Sequence, residues 1–298
     1  MIAETLNAMY LLWPLSVAII ILSMLVGLLI AFFVGSIVVG GAFAAWYLWT
    51  WLKDEGYLAA AWGVAEAQTT RFQTNLSATF QVRGEIPKGP VLYIAHPHGL
   101  FSMAPFLHWA AGATTWPADR PVRVALHSIF YKIPVIRELM ELYGTIQATE
   151  SEIRSALERG ESVALLTGGI QELQLTATNR MRLVLKKRKG FLRIAGDMGV
   201  PVVPVLTFGE NELFPPIKGP VVEFAQRTLK NWFGIAIPIP TAESVGNWFS
   251  LMYGPLKPPV VTWVGKPIKD PTHEKVLAAM AALYKEGKPE GYGDLEIL

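Results

Sequence analysis

Pro90-Val91-Leu92-Tyr93-Ile94-Ala95-His96-Pro97-His98-Gly99-Leu100-Phe101-Ser102 is the stretch around which the chain is organised. Val91 to Ala95 read as a short buried strand. The run stops at two histidines separated by a proline, and Gly99 then opens a helix-like segment. Buried strands that end in polar residues at a helix N-terminus are where α/β folds place their chemistry. Pro97 fixes its own φ and keeps His96 out of helical geometry. Gly99 lets backbone or ligand approach His98 closely. An imidazole takes up a proton near neutral pH, so this turn is the first candidate for an active site. The same pair also admits a metal reading, because His-x-His brings two imidazoles within reach of one ion. Zinc needs a third protein ligand, and neither His108, His127 nor any carboxylate stands at a spacing that demands it. The alternative without chemistry is two histidines satisfied inside a turn.

Outward from this turn the pattern repeats. Strand-like runs fall at 77–82, 91–95, 121–126, 162–166, 181–186, 201–207 and 259–264, with helix-like runs at 99–111, 133–142, 150–159, 190–198, 221–233 and 273–286. Such alternation predicts an α/β fold, a mostly parallel sheet with helices on both faces. Two further strands run into polar turns. Val163 to Leu166 lead into Thr167-Gly168-Gly169-Ile170-Gln171-Glu172. Adjacent glycines there expose N–H groups able to hold an anion or oxyanion, and Glu172 is placed to orient a histidine. Val203 to Thr207 lead into Phe208-Gly209-Glu210-Asn211, with Glu210 the second candidate for that role. Three polar strand ends point to one shared cleft. The densest positive charge, Lys186-Lys187-Arg188-Lys189 before Gly190 and Phe191, leads into a helix and suits a phosphate. A solvated face, or a patch on anionic headgroups, is the other reading.

Composition sets the bounds. Hydrophobic residues make up 52% of the 298 and charged residues 17%, with mean hydropathy +0.34. That is too apolar for an ordinary soluble chain. A net charge of +2 gives no signal for nucleic acid, and the absence of cysteine excludes disulfides, thiolate nucleophiles and cysteine-ligated zinc. No Asp, Glu, Lys, Arg or His occurs from Thr5 to Leu52. One straight helix of that length, at about 1.5 Å per residue, far exceeds a hydrocarbon core of about 30 Å. The expectation is therefore a hairpin of helices over 10–29 and 32–52, turning near Gly27 to Gly35, with Trp46, Trp49 and Trp51 as an interfacial belt. A cleaved signal peptide is the weaker alternative, given the missing basic n-region and the second apolar block. A helix over 54–70 follows, packed on the domain or lying on the membrane surface. The expected organisation is a membrane-embedded hairpin, residues 1–52, and an α/β domain, residues 53–298, with the boundary near 53–71. No Gly-x-Ser-x-Gly, Gly-x-Gly-x-x-Gly, phosphate loop or His-Glu-x-x-His is present.

Together these residues resemble the type-2 diacylglycerol acyltransferase family, which also holds monoacylglycerol acyltransferases and some wax synthases. The matching elements are His96-Pro97-His98-Gly99, Gly168-Gly169 with Glu172, Arg188-Lys189-Gly190-Phe191 and Phe208-Gly209-Glu210-Asn211, in the family's order. Val264-Gly265-Lys266-Pro267-Ile268 resembles its last strand and exit. Ala78 to Val82 depart from the Tyr-Phe-Pro often found ahead of the histidines, and Ile170 and Gln171 replace the small residues usual before the acid. The wider glycerolipid acyltransferases pair a histidine with an aspartate five residues on. Here Phe101 and Met103 occupy those positions, so a partner acid must come from elsewhere.

The resemblance implies a glycerolipid-acyltransferase-like mixed sheet flanked by helices, behind an N-terminal hydrophobic hairpin. It also implies acyl transfer from acyl-coenzyme A, as co-substrate, to the hydroxyl of diacylglycerol, monoacylglycerol or a long-chain alcohol. The expected catalytic groups are His96, His98 and Glu172. The expected substrate contacts are Gly99, Gly168, Gly169, Arg188, Lys189, Gly190, Phe191, Gly209, Glu210 and Asn211. No metal or resident cofactor is expected, and the partners are the two substrates and the lipid bilayer; homo-oligomers are left open. The expected location is the endoplasmic reticulum and lipid-droplet surface, with the catalytic domain on the cytosolic side. Rival readings are a metal-dependent membrane hydrolase and a non-catalytic lipid-binding protein.

Overall fold

A computed structural model describes residues 23, 26–27, 30–46, 76–110, 116, 119–133, 136–233, 239–250, 256 and 259–298. The chain divides into two compact units, residues 1–59 and 60–298. In the first, residues 30–46 form one continuous helix with every described side chain exposed; Phe32 is 70% and Ile37 72% accessible. The helix runs straight through Gly35, which corrects the expected turn over that part of Gly27 to Gly35. A glycine costs a helix only about 1 kcal/mol, too little to break an otherwise uninterrupted run. Among the described residues no helix is long and apolar enough to cross a membrane. The expected helices over 10–29 and 54–70, Trp49, Trp51 and the boundary near 53–71 lie wholly or largely outside the described residues.

Among its described residues the second unit has nine strands: β1 (Phe80–Arg83), β2 (Leu92–His96), β3 (Val122–Leu126), β4 (Ile146–Gln147), β5 (Ser162–Leu165), β6 (Arg182–Leu183), β7 (Val202–Phe208), β8 (Val260–Val264) and β9 (Glu296–Ile297). Seven form one sheet in the order β1-β8-β7-β2-β5-β3-β4, and β6 pairs with β9 in a second. The large sheet is mixed. β8 runs antiparallel to β7 and parallel to β1, and the remaining pairs are parallel. Strands β2, β5 and β7 are buried at every position, which is why they read as unbroken apolar runs. Edgeward β8 alternates buried and half-buried residues.

The helices are α1 (Met103–Pro105), α2 (Ile136–Leu142), α3 (Glu150–Glu158), α4 (Gly169–Leu175), α5 (Gly190–Met198), α6 (Glu210–Leu213), α7 (Pro220–Phe233), α8 (Ala242–Ser250) and α9 (His273–Gly287). One sheet face, with Leu92, Ile94, Val163 and Val202, packs against Ile153, Ala156 and Leu157 of α3, Phe191, Ile194 and Ala195 of α5, and Val276 and Met280 of α9. The opposite face, with Tyr93, Ala95, Val203 and Val205, packs on Trp109 and Trp116. Alternate residues of β2 thus serve opposite cores, as the period of two requires. Spacing and caps explain the helices. Thr149 and Thr272 accept hydrogen bonds from the N–H groups of Glu152 and Lys275 and so start α3 and α9. Gly199, at φ +63°, ends α5. Four helices go unseen in the sequence reading, α4, α6, α8 and the short 3₁₀ turn Ser128–Lys132, as do strands β4 and β9.

Candidate active site

Because β2, β5 and β7 are parallel neighbours, their C-terminal ends share one edge. His96 lies opposite Leu206 in β7, and Ile94 opposite Leu165 at the end of β5. The turns that follow, His96–Gly99, Leu166–Gly169 and Phe208–Asn211, therefore converge, as topology rules for open α/β sheets require. The His96–Pro97 peptide is cis.

Glu172, on α4, ties the two histidines together. Nδ1–H of His96 donates to its carboxylate, 2.9 Å from either oxygen, and the His98 backbone N–H donates to Oε2 at 3.2 Å. His96 and Glu172 are each 1% exposed. With Nδ1 protonated, Nε2 of His96 carries the lone pair, and the Thr167 hydroxyl donates to it at 2.9 Å. The tautomer is assigned from these partners. Both ring nitrogens are thus occupied and the ring is locked. A buried carboxylate needs such hydrogen-bond partners. Gly168 is required by the same contact, since a Cβ there would collide with the Glu172 carboxylate. Gly169 donates its N–H to the Leu166 carbonyl, so the expectation that it serves an oxyanion is corrected; its φ of +52° opens α4 instead.

His98 is placed differently. It is half-buried, with Nδ1 3.1 Å from the Gly99 carbonyl and 3.2 Å from Ser102 Oγ. The Ser102 hydroxyl in turn donates to the His98 carbonyl at 2.8 Å. Two acceptors at Nδ1 fix the proton there and leave the lone pair on Nε2, which makes no hydrogen bond among the described residues. Burial, only partly offset by the Gly99 carbonyl and the Glu172 charge, holds the His98 pKa below the usual imidazole range. The ring is neutral at physiological pH and able to accept a proton.

Glu210 acts on the far side of the turn. Its carboxylate accepts the N–H groups of Met103 and Ala104, at 2.7 and 3.1 Å, and so caps α1, which continues as the π-helix Phe106–Ala110. It touches neither imidazole, which corrects its expected role as a histidine orienter. Gly99, at φ +62°, is needed because a Cβ would come within 2.8 Å of Glu210 Oε1. Burial raises the Glu210 pKa to about 7 against the opposing effect of the two N–H groups. Asn211 donates to the Ala177 carbonyl at 3.3 Å, and its buried Oδ1 makes no hydrogen bond among the described residues.

Gly209 lies in one of these three turns, and Arg188, Lys189, Gly190 and Phe191 lie outside them. Arg188 is exposed and donates to Gln171 Oε1 at 3.2 Å; with Lys187, Gln174 and Leu298 it lines a cavity of about 500 Å³. Lys189 is exposed at the start of α5. Gly190 opens that helix, and Phe191 is 4% exposed inside the main core. A Cβ on Gly209 would strike the Pro259 carbonyl at 2.6 Å. Phe191 and Gly209 therefore have packing roles, while Gly190 is exposed with open space where a Cβ would stand. His108 lies buried against Thr262, 2.9 Å away, its pKa lowered to about 3 by burial, and His127 caps the 3₁₀ turn. Among the described residues no three His, Asp or Glu side chains gather as a metal would need. Two residues the sequence reading missed complete the site, Thr167 and Ser102. Thr167 had a signal, a hydroxyl directly after the apolar run of β5; Ser102 had none beyond its place four residues after His98.

Comparison with known proteins places this geometry in context. The chain is 32% identical over 194 residues to diacylglycerol O-acyltransferase 2B of Umbelopsis ramanniana, covering 62% of this chain and 55% of that one. It is 29% identical over 251 residues to acyl-CoA wax alcohol acyltransferase 1 of Homo sapiens, covering 80% and 76%. The 1-acyl-sn-glycerophosphate acyltransferase of Thermotoga maritima aligns over 83% of this chain and 88% of its own, at 18% identity and TM-score 0.45, too distant to bear on the site. The match spans little more than half the length of the first of these relatives, as it does for diacylglycerol O-acyltransferase 2 of Dictyostelium discoideum, 58% of which is covered. The model of the diacylglycerol acyltransferase family matches residues 37–287, a range that holds the histidine turn, Glu172 and Glu210, and the chain therefore belongs to that family.

Proposed function

We propose that the chain is a membrane-associated O-acyltransferase that moves a fatty acyl group from acyl-coenzyme A to the hydroxyl of diacylglycerol, or of a related neutral acceptor such as monoacylglycerol or a long-chain alcohol. The observation that carries this reading is the bare Nε2 of a neutral, oriented His98 at the shared strand edge. In this reading Nε2 takes the proton of the acceptor hydroxyl as its oxygen attacks the thioester carbonyl. The tetrahedral intermediate expels coenzyme A as a thiolate, which recovers the proton from the imidazolium. His96, Glu172 and Thr167 position the turn. The N–H groups of Gly99 and Gly168 are the remaining candidates among the expected oxyanion donors. Arg188 and Lys189 meet phosphates of the donor. The absence of an acyl-enzyme agrees with a chain that has no cysteine and no nucleophile elbow.

The apolar run from Thr5 to Leu52 supports membrane anchoring as a hairpin, aided by the exposed Phe32 and Ile37. An anchored domain meets acceptor and acyl chain where they are dissolved, so apolar ligands need not cross water. The endoplasmic reticulum and lipid-droplet surface, with the catalytic domain in the cytosol, follow as the proposed location. The acceptor is chosen among three classes, and the wax alcohol relative favours keeping a long-chain alcohol among them. The test is a microsomal assay with labelled oleoyl-coenzyme A and a panel of mono-, diacyl- and alkyl acceptors. Ester product from one acceptor class is expected. Absence of every ester in membranes holding the intact chain would sink the transferase reading.

A further inference from the structure

A second cavity, of about 440 Å³, opens beside the histidine turn, with Leu100, Leu173, Arg182, Lys218, Glu223 and Arg227 among its walls. Its floor is made by the immediate neighbours of the proposed catalytic groups. Leu100 lies two residues past His98, and Leu173 follows Glu172. Three cations from three parts of the chain converge on it, against Glu223 as the one carboxylate among its described walls. Arg182 is held by Glu296, Nε to Oε1 at 3.2 Å. Lys218 and Arg227 form no ion pair among the described residues. Burial, then the nearby charges of Arg182 and Arg180, hold the Lys218 pKa below the usual lysine range, with Glu223 only partly opposing them.

Like charges gathered around one concave space repel one another unless an anion joins them. Nothing in the packing calls for this cluster, since the wall from Pro216 to Arg227 belongs to a half-exposed loop and helix. The cavity is distinct from that of Lys187 and Arg188, although Gln174 of α4 borders both. We infer that Arg182, Lys218 and Arg227 form a phosphate-binding subsite adjoining the catalytic turn, open to a phosphate ester carried by one of the substrates. Arginine offers its planar fork to two phosphate oxygens and lysine a mobile point charge. Two sources carry such a group, the nucleotide end of acyl-coenzyme A and the headgroup of a phosphorylated lipid. The first deepens the transferase reading and rests on it; binding of phosphate itself does not.

The test is titration calorimetry on the full chain in neutral detergent micelles, with adenosine 3′,5′-bisphosphate and lysophosphatidate as separate probes and monoacylglycerol as the uncharged control. Saturable binding of at least one phosphorylated probe is expected. Lys218→Gln and Arg227→Gln should each weaken it about tenfold or more, the loss of one charge-assisted contact. Lys218→Arg should restore most of the affinity, and melting curves should confirm that the variants fold. Loss confined to the nucleotide identifies the donor, and loss confined to lysophosphatidate identifies the lipid headgroup. No saturable binding of either probe, or affinities within about twofold of wild type in both glutamine variants, overturns the assignment. Intact phosphate binding without any acyl transfer would leave the subsite standing and count against the transferase reading alone.

Discussion

The two histidines of one tripeptide occupy opposite kinds of environment. His96 is sealed, with both nitrogens engaged, by Glu172 on one side and Thr167 on the other. His98 is half-open, with Nδ1 fixed by Gly99 and Ser102 and Nε2 unengaged. The difference teaches that a buried His–Glu pair need not be the reacting pair. A ring with no vacant nitrogen suits a positioning part, while in the proposed reaction its neighbour, steered through the same carboxylate, exchanges the proton.

The most direct way to break this contrast is His98→Ala. General base catalysis contributes about 10²–10⁴-fold, so kcat should fall by at least that order while the melting temperature stays near wild type. Near-normal turnover in a folded variant would remove His98 from the chemistry. Glu172→Ala should do the converse. Leaving the buried Nδ1–H of His96 without its acceptor costs about 1–3 kcal/mol of stability, read as a lowered denaturation midpoint. Thr167→Val sharpens the comparison further. If His96 only positions, this change lowers kcat less than tenfold; a loss matching that of His98→Ala would make His96 the base and Thr167 its relay.

A smaller effect concerns Glu210, on the far side of the turn. Its folded pKa of about 7 lies above the carboxylate's ordinary 4.5. A raised pKa means the protonated form is preferred in the fold. Its stabilisation is present below pH 4.5 and lost as the pH climbs through 7. Glu210→Gln has no such titration, so its stability relative to wild type should rise across that window, on the order of a few kcal/mol at most, from a starting deficit set by its amide nitrogen, which cannot accept the second N–H, checked by melting curves from pH 4.5 to 8. Smallest is the acid limb of kcat/KM. With the His98 pKa held low by burial, that limb should fall below the ordinary imidazole value of about 6.5; a limb above it contradicts a buried neutral base.

Much of the fold was legible because its central strands are buried on both faces and so appear as apolar runs. The strand ends also declared themselves, as His96, Glu172 and Glu210 each follow such a run. What escaped has physical causes. Helix α4 hides behind Thr167-Gly168-Gly169, which reads as a turn, and the need for Gly168 emerges only once the Glu172 carboxylate is seen folded over it. Helix α1 begins four residues later than its apolar pattern suggests, because Gly99 and Ser102 adopt positive φ and its cap is Glu210, more than a hundred residues on. β4 and β9 are too short to carry a period. Arg182, Lys218 and Arg227 are spaced with no motif, so only the fold brings them to one cavity.

The pairing of β1 with β8 has a consequence for how the protein is made. Phe80 finds its partner Val260 only after most of the second unit has left the ribosome, and β8 is also what covers the flank of β7. Until β8 emerges, then, β1 has no ladder partner, and β7, once made, presents a bare hydrogen-bonding edge, the kind of surface that recruits other chains. The nascent protein should depend on holding chaperones until residue 264 emerges, and chains terminated before Val260 should collect in aggregates even though every residue of the histidine turn is already present.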